Sequence, residues 1–259
     1  MTKQQVELAK KHVGEFMKTL KYPKTNLDFL EGHIEFLEKA GINPESIDLV
    51  ISNCVINLSP NKPKVIEEIW KALKYGGEVY FSDVYCDRRL PDSVRNHELL
   101  FGECIGGALY IEDFYRISRK AGFEDIRLLS SSPVTVDDPE LKSIVGDAKF
   151  FSITFRLFKL KDLESICEDY GQTAIYKGTI PEQADNYVLD DHHIFETNKI
   201  KPICGNTASI LSNTWLSKYF EIRGNRNVHY GKFNCDDNDL NQKQPVVSQG
   251  LCCSSGSCG

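Results

Sequence analysis

The sequence predicts an α/β fold: an open sheet over residues 1–130, a smaller α+β unit over 131–232 and a flexible cysteine-rich tail over 233–259. Three observations predict it. Short apolar runs alternate with amphipathic helical stretches as far as Leu129, the pattern of strand–helix–strand units on a parallel sheet. From about Ser130 the alternation gives way to shorter strands, separated by polar turns. The last stretch is rich in Asn, Asp, Gln, Ser and Gly and lacks the apolar residues needed to order itself.

Val6, Ala9, Val13, Phe16, Met17 and Leu20 recur at helical spacing and predict an opening helix that Tyr22-Pro23 ends. Leu27 to Leu30 reads as a short strand. Ile34, Phe36, Leu37 and Ala40 read as a short helix stopped by Gly41. Leu49 to Ile51 is an apolar run, read as a buried strand that breaks off at Ser52, Asn53 and Cys54. Asn61 is placed as a helix N-cap with Pro63 in the first turn. Val65, Ile66, Ile69, Ala72 and Leu73 form the face of that helix, and Gly76-Gly77 is read as its stop. Val79 to Val84 predicts the next strand, closing on Ser82-Asp83. Helices follow over Pro91 to Cys104 and Ile111 to Ala121, with a strand over Ile126 to Leu129.

In the second unit Phe151, Ile153, Phe155 and Leu157 alternate with Ser152, Thr154 and Arg156. That predicts a half-buried strand of an antiparallel or mixed sheet. Gln172 to Tyr176 and Tyr187 to Asp190 read as shorter strands. Thr207 to Tyr219 reads as a helix, with Leu211, Trp215 and Leu216 on its apolar side.

Thirty-one Lys and Arg against 37 Asp and Glu give a net charge of −6, which argues against a nucleic-acid partner. No apolar run approaches the roughly 18 residues of a membrane span, and the N-terminus reads as a polar helix, not a signal peptide. Nine cysteines without a secretory signal read as reduced thiols in the cytoplasm.

The candidate chemistry begins with Cys54. Ligands of an open α/β sheet bind beyond the carboxyl ends of its strands, and Cys54 falls there. Its plainer reading is a packed thiol; its functional reading is a nucleophile or soft-metal ligand. Cys104, in Gly102-Glu103-Cys104-Ile105-Gly106-Gly107, ends a predicted helix and reads as a core thiol. Cys86, Cys167, Cys204 and Cys235 are isolated in sequence and read as incidental. Cys252, Cys253 and Cys258 could capture a thiophilic ion from the tail, although their spacing matches no standard zinc pattern. His192-His193 with Asp190 and Asp191 could coordinate a metal, but neighbours on a strand point to opposite faces. Asp83 reads as a general base, a cofactor contact or a capping residue. No G-x-G-x-x-G occurs in a strand–turn–helix setting.

The ordered set of motifs resembles the eukaryotic arsenite methyltransferases, S-adenosylmethionine-dependent enzymes with a doubly wound sheet. The matching segments are Ser52-Asn53-Cys54-Val55-Ile56-Asn57-Leu58, Leu73-Lys74-Tyr75-Gly76-Gly77-Glu78, Tyr80-Phe81-Ser82-Asp83-Val84-Tyr85 and Gly102-Glu103-Cys104-Ile105-Gly106-Gly107-Ala108-Leu109-Tyr110. Ile144-Val145-Gly146-Asp147 and Thr154-Phe155-Arg156-Leu157-Phe158-Lys159 match as well. The resemblance implies methyl transfer from S-adenosylmethionine to trivalent arsenic held by cysteine thiolates, with arsenicals, free or as thiol conjugates, and a cellular thiol reductant as partners. It makes Cys54 an arsenic ligand. It assigns Gly32, His33, Ile34 and Glu35 to the loop flanking the adenine, and Asn53 to Val55 to the strand end that touches the cofactor.

The same comparison marks departures. The family's first two strands, glycine-rich loop, ribose-binding acidic residue and upstream arsenic-binding cysteine are expected to lie before Met1. Its third arsenic ligand falls on Ala148, which has no thiol. Impaired activity is therefore expected, with Cys104 or a tail thiol as a substitute ligand. Two other readings stand beside it. One is a non-catalytic thiol binder of arsenicals or soft metals; the other is a methyltransferase for a non-arsenic acceptor.

Overall fold

The computed structural model describes residues 3–235. The expectations for Met1-Thr2, for the tail and for Cys252, Cys253 and Cys258 lie outside the described residues.

The periodic stretch at the start is helix α1 (Lys3–Thr19), which buries only Val6 and Met17. No strand forms over residues 27–30, and the next segment makes two 3-10 turns, Ile34–Phe36 and Glu38–Ala40, the second closed by left-handed Gly41. Both turns pack near helix α2 (Lys62–Ala72). The Leu37 amide donates to the Glu68 carboxylate at 3.2 Å. Helix α2 starts as predicted: Asn61 Oδ1 accepts from the Lys64 amide at 3.2 Å, and Val65, Ile66, Ile69 and Ala72 are buried.

Strands β1 (Ile47–Asn53), β2 (Leu73–Cys86), β3 (Leu109–Tyr110), β4 (Ile126–Val134) and β5 (Phe150–Phe158) form one mixed sheet. Its order is β1-β2-β5-β4, with β3 paired to the end of β2. β1 and β3 run parallel to β2; β5 runs antiparallel to both β2 and β4. The sheet thus continues through Phe158, and the boundary expected at residue 130 falls inside β4.

Two readings are corrected here. Leu49 and Ile51 were expected to be buried, yet they are 44% and 72% exposed. β1 lies at the edge of the sheet, bonded to β2 alone among the described residues. Gly76-Gly77 does not stop the helix; α2 has already ended at Ala72, and both glycines lie inside β2. The pairing of β1 with β2 shifts register there, from Ile47 opposite Leu73 to Leu49 opposite Glu78. Gly76 takes φ +86°, and a Cβ on it would sit 2.8 Å from the Asn213 carbonyl oxygen. A side chain fits neither the turn nor the space.

The predicted helix over 91–104 is broken into α3 (Asp92–Arg95) and α4 (Glu98–Gly102). α5 (Ile111–Ala121) forms as expected and packs on α2. Phe81, Tyr85, Phe114 and Phe155 fill the space between this helical layer and the sheet, with Phe114 and Phe155 stacked at 4.7 Å. On the other side, α6 (Pro139–Val145) covers a cluster of Val84, Cys86, Leu100, Ile105 and Phe150.

The C-terminal unit carries β6 (Glu168–Asp169), β7 (Gln172–Tyr176), β8 (Asn186–Val188), β9 (Ile194–Glu196), β10 (Ile200–Ile203), α7 (Gly205–Asn213), β11 (Phe220–Arg223) and β12 (Gly231–Lys232). β7 is the centre of an antiparallel β10-β7-β11 sheet. The helix predicted over 207–219 is α7 followed by a 3-10 turn, Trp215–Tyr219. Tyr176, Tyr187, Phe195, Leu211, Leu216 and Phe220 pack with Phe158, so the end of β5 belongs to both cores.

Candidate functional site

The site gathers at the carboxyl end of β1. Asn53 is the last strand residue, paired to Ser82. Cys54 then turns the chain out of the sheet with φ 53°, while its amide still donates to the Ser82 carbonyl at 2.9 Å. A residue bearing a side chain in this left-handed conformation is strained, and such strain concentrates at functional positions. The Cys54 thiol is exposed.

Asp83, one residue beyond Ser82 on β2, is buried below the turn. Its carboxylate accepts from the Asn57 amide at 3.1 Å and from the Val84 amide at 2.9 Å. Burial pushes the Asp83 carboxyl up; these N–H groups and the charge of Lys62 offset only part of that rise. Of the three roles open to Asp83, its visible bonds are those of a capping residue. Cys104 enters from the loop after α4, also left-handed at φ 62°. Its Sγ lies 3.6 Å from the Cys54 carbonyl oxygen. Burial, the Asp83 charge and the neighbouring Cys54 thiol push the Cys104 thiol up to about 11. Gly107 sets this loop: a Cβ on it would lie 2.2 Å from the Asn57 carbonyl oxygen, so only glycine allows the approach.

The donor atoms of Cys54, Asp83 and Cys104 all lie within 4.8 Å of one another. The sequence marked Cys54; the association of Cys104 with it was only one of two substitutes considered. Ala148 offers no donor. It packs against the same apolar cluster as Cys104, beside Val84 and Cys86.

The residues assigned to the cofactor divide into two groups. Gly32, His33, Asn53 and Val55 are exposed. Ile34 packs against the core, and the buried Glu35 carboxylate accepts from the Ser59 hydroxyl. That bond pins the 33–36 loop beside the turn that follows Val55. The two segments flank one open edge at the end of β1, with His33, Asn53 and Val55 facing out.

His192, His193, Asp190 and Asp191 split into two pairs. Asp190 and His193 are buried together, with Nδ1 and Oδ1 2.7 Å apart. His192 and Asp191 form a looser pair at 3.4 Å, with His192 half exposed. The sequence missed a different cluster. Cys167, Cys204 and Cys235, read as incidental, bring their sulfurs within 4.8 Å of one another.

The fold and the strand-end site define a methyltransferase of the doubly wound class. A methyltransferase-domain family matches residues 1–122, and the C-terminal domain family of arsenite methyltransferases matches residues 171–259. An arsenite methyltransferase of Aquipseudomonas alcaligenes is 44% identical over 98% of this chain and 73% of its own length. The Homo sapiens arsenite methyltransferase is 40% identical over 86% of this chain and 59% of its own length. A solved arsenic(III) S-adenosylmethionine methyltransferase from Chlamydomonas reinhardtii is 52% identical. It superposes with a TM-score of 0.86 over 90% of this chain and 78% of its own. The chain belongs to the arsenite methyltransferase family, whose methyl donor is S-adenosylmethionine. No described helix is long and apolar enough to cross a membrane.

Proposed function

We propose that this chain holds a trivalent arsenical at Cys54 and Cys104 for methylation by S-adenosylmethionine. The observation that carries the reading is the meeting of these two thiols with Asp83 at the strand end. Thiolates are the soft donors a thiophilic centre selects. Two As–S bonds from fixed backbone positions would leave the arsenic lone pair with a set direction, and fixed orientation of reacting groups is worth several kcal/mol of barrier. Asp83, fixed by the Asn57 and Val84 amides, holds the turn that carries Cys54 beside Cys104.

His33, Asn53 and Val55, with Gly32, Ile34 and Glu35 fixing the loop behind them, would hold the adenine side of S-adenosylmethionine. When bound, this cofactor supplies an electrophilic sulfonium methyl group. A new As–C bond formally oxidises arsenic by two electrons, so a cellular thiol reductant belongs to the cycle, and arsenicals arrive free or as thiol conjugates. We place the protein in the cytoplasm on its cysteine content.

Ala148 favours a second reading, a thiol binder of arsenicals or soft metals that does not turn over. Incubation with arsenite, a thiol reductant and labelled S-adenosylmethionine decides between them. Labelled methylarsenicals from the wild type, reduced at least about 100-fold in Cys54→Ser as for loss of a positioning contact, are expected. Arsenite binding without any labelled product establishes the binder.

A further inference from the structure

Outside the strand-end site, the described residues hold one other group of thiols close enough to share an ion. Cys167 comes from the loop before β6, Cys204 from the N-cap of α7, and Cys235 from the last described position. Three segments distant in the chain thus converge on one point. Cys204 is fully buried, and the other two are half-buried.

We propose that Cys167, Cys204 and Cys235 form a three-thiolate site for a thiophilic ion, zinc(II) or arsenic(III), separate from the methyl-transfer site.

The surroundings are those of a metal centre. The Cys204 sulfur accepts from the Thr207 amide at 3.4 Å and lies 3.2 Å from the Thr207 hydroxyl. That hydroxyl is 3.5 Å from His193 Nε2, and the His193 ring is fixed in turn by Asp190 at 2.7 Å. A chain of buried polar groups that orients a ligand atom is a regular feature of metal sites. Three sulfurs within 4.8 Å of one another crowd a single point. A cation replacing their protons would relieve the crowding, because the three sulfurs would then share one positive centre.

A cavity of about 390 Å³ opens beside the cluster, with Cys167, Cys235, His193 and Asp190 in its wall. It gives an ion a way in. Zinc would take the three thiolates and complete its tetrahedron with water or a further thiol, releasing the thiol protons to solvent. Arsenite would exchange three As–O bonds for three As–S bonds. Its three hydroxides would leave as water, each with one thiol proton.

The site would also close the C-terminal unit. Residues 231–232 pair with 168–169 in a two-rung ladder, a weak tether by itself. An ion across Cys167, Cys204 and Cys235 would clamp both of its ends onto α7.

The test uses the reduced full chain with Cys252, Cys253 and Cys258 changed to serine, so that tail thiols do not count. One arm is equilibrium dialysis against zinc chloride, the other against sodium arsenite, with elemental mass spectrometry of the protein. Cobalt(II) serves as a spectroscopic probe for thiolate ligation. We expect a retained equivalent of at least one ion in the Cys54→Ser/Cys104→Ser variant, with cobalt–thiolate charge-transfer absorption. We expect that equivalent to vanish in Cys235→Ser and in Cys204→Ser. Cys235 is half-buried, so its variant remains informative if Cys204→Ser fails to fold. Retention of zinc names a structural ion; retention of arsenic alone names a second arsenical site. No retained ion, or retention undiminished in Cys235→Ser, overturns the proposal. Methylation assays read only the strand-end site, so the two proposals fail separately.

Discussion

Cys54 and Cys104 both hold left-handed backbone angles, at 53° and 62°, and each costs on the order of 1 kcal/mol in a residue with a side chain. The strain aims the two thiols at one point from different loops. Cys104 is pushed up to about 11 by burial, by the Asp83 charge and by Cys54, so it remains a thiol at neutral pH. Alkylation by iodoacetamide needs the thiolate. Labelling of Cys104, followed by peptide mass spectrometry, should rise about tenfold per pH unit from about pH 8 to about pH 10. A plateau by about pH 9 would contradict this environment. The place of Cys54 at a strand end was legible because an apolar run stops abruptly before it, whereas its role as an arsenic ligand came only from the family resemblance. Cys104 was half legible, as a thiol in a recognisable loop whose neighbour was unknown. Cys167, Cys204 and Cys235 were illegible, because their closeness arises only when β6, α7 and the end of β12 assemble. No local spacing encodes that.

At the level of elements, two close approaches require glycine, and the site depends on the first. One is Gly107 against Asn57, which lets the loop carrying Cys104 lie on the turn after Cys54. Gly107→Ala would force the loop away, at a cost of about 1–3 kcal/mol for overpacking. The melting temperature should fall by about 2–4 °C for each kcal/mol, and arsenite affinity should fall with it as Cys104 leaves Cys54. An unchanged melting curve would show that the loop was never held there. The other is Gly76, where the sequence misled. Two glycines after an amphipathic helix look like a C-terminal stop, yet α2 ends earlier and the pair forms an irregularity in β2. The contact that demands glycine is with Asn213, far along the chain. The alternation in β5 was legible; its place between β2 and β4 was not. Its polar face looked solvent-bound, yet Arg156 is 1% exposed because the C-terminal unit covers it.

Over the whole molecule, two buried arginines join the first sheet to the C-terminal unit. Arg156 on β5 donates to the Glu78 carboxylate at 2.7 Å and to the Tyr187 hydroxyl at 2.9 Å. Arg127 on β4 donates to Asp125 at 2.8 Å, to Asp190 at 2.6 Å and to the Thr207 hydroxyl at 3.0 Å. Truncating one partner of such a pair strands the other charge. Asp190 shows the consequence for pH. Burial alone would raise its carboxyl, but the His193 hydrogen bond and the Arg127 charge outweigh burial and hold it well below the usual carboxylate range. A carboxylate depressed in the folded state stabilises fully above its unfolded pKa of about 3.9 and loses that contribution as pH falls further. Asp190→Asn should therefore cost about 3–5 kcal/mol near pH 7, measured by urea unfolding. The gap between wild type and variant should narrow steadily below about pH 4, because only the wild type has this carboxylate to protonate. Equal gaps at about pH 7 and about pH 3 would mean that the stability lost in the variant came from packing and not from the Arg127–Asp190 charges.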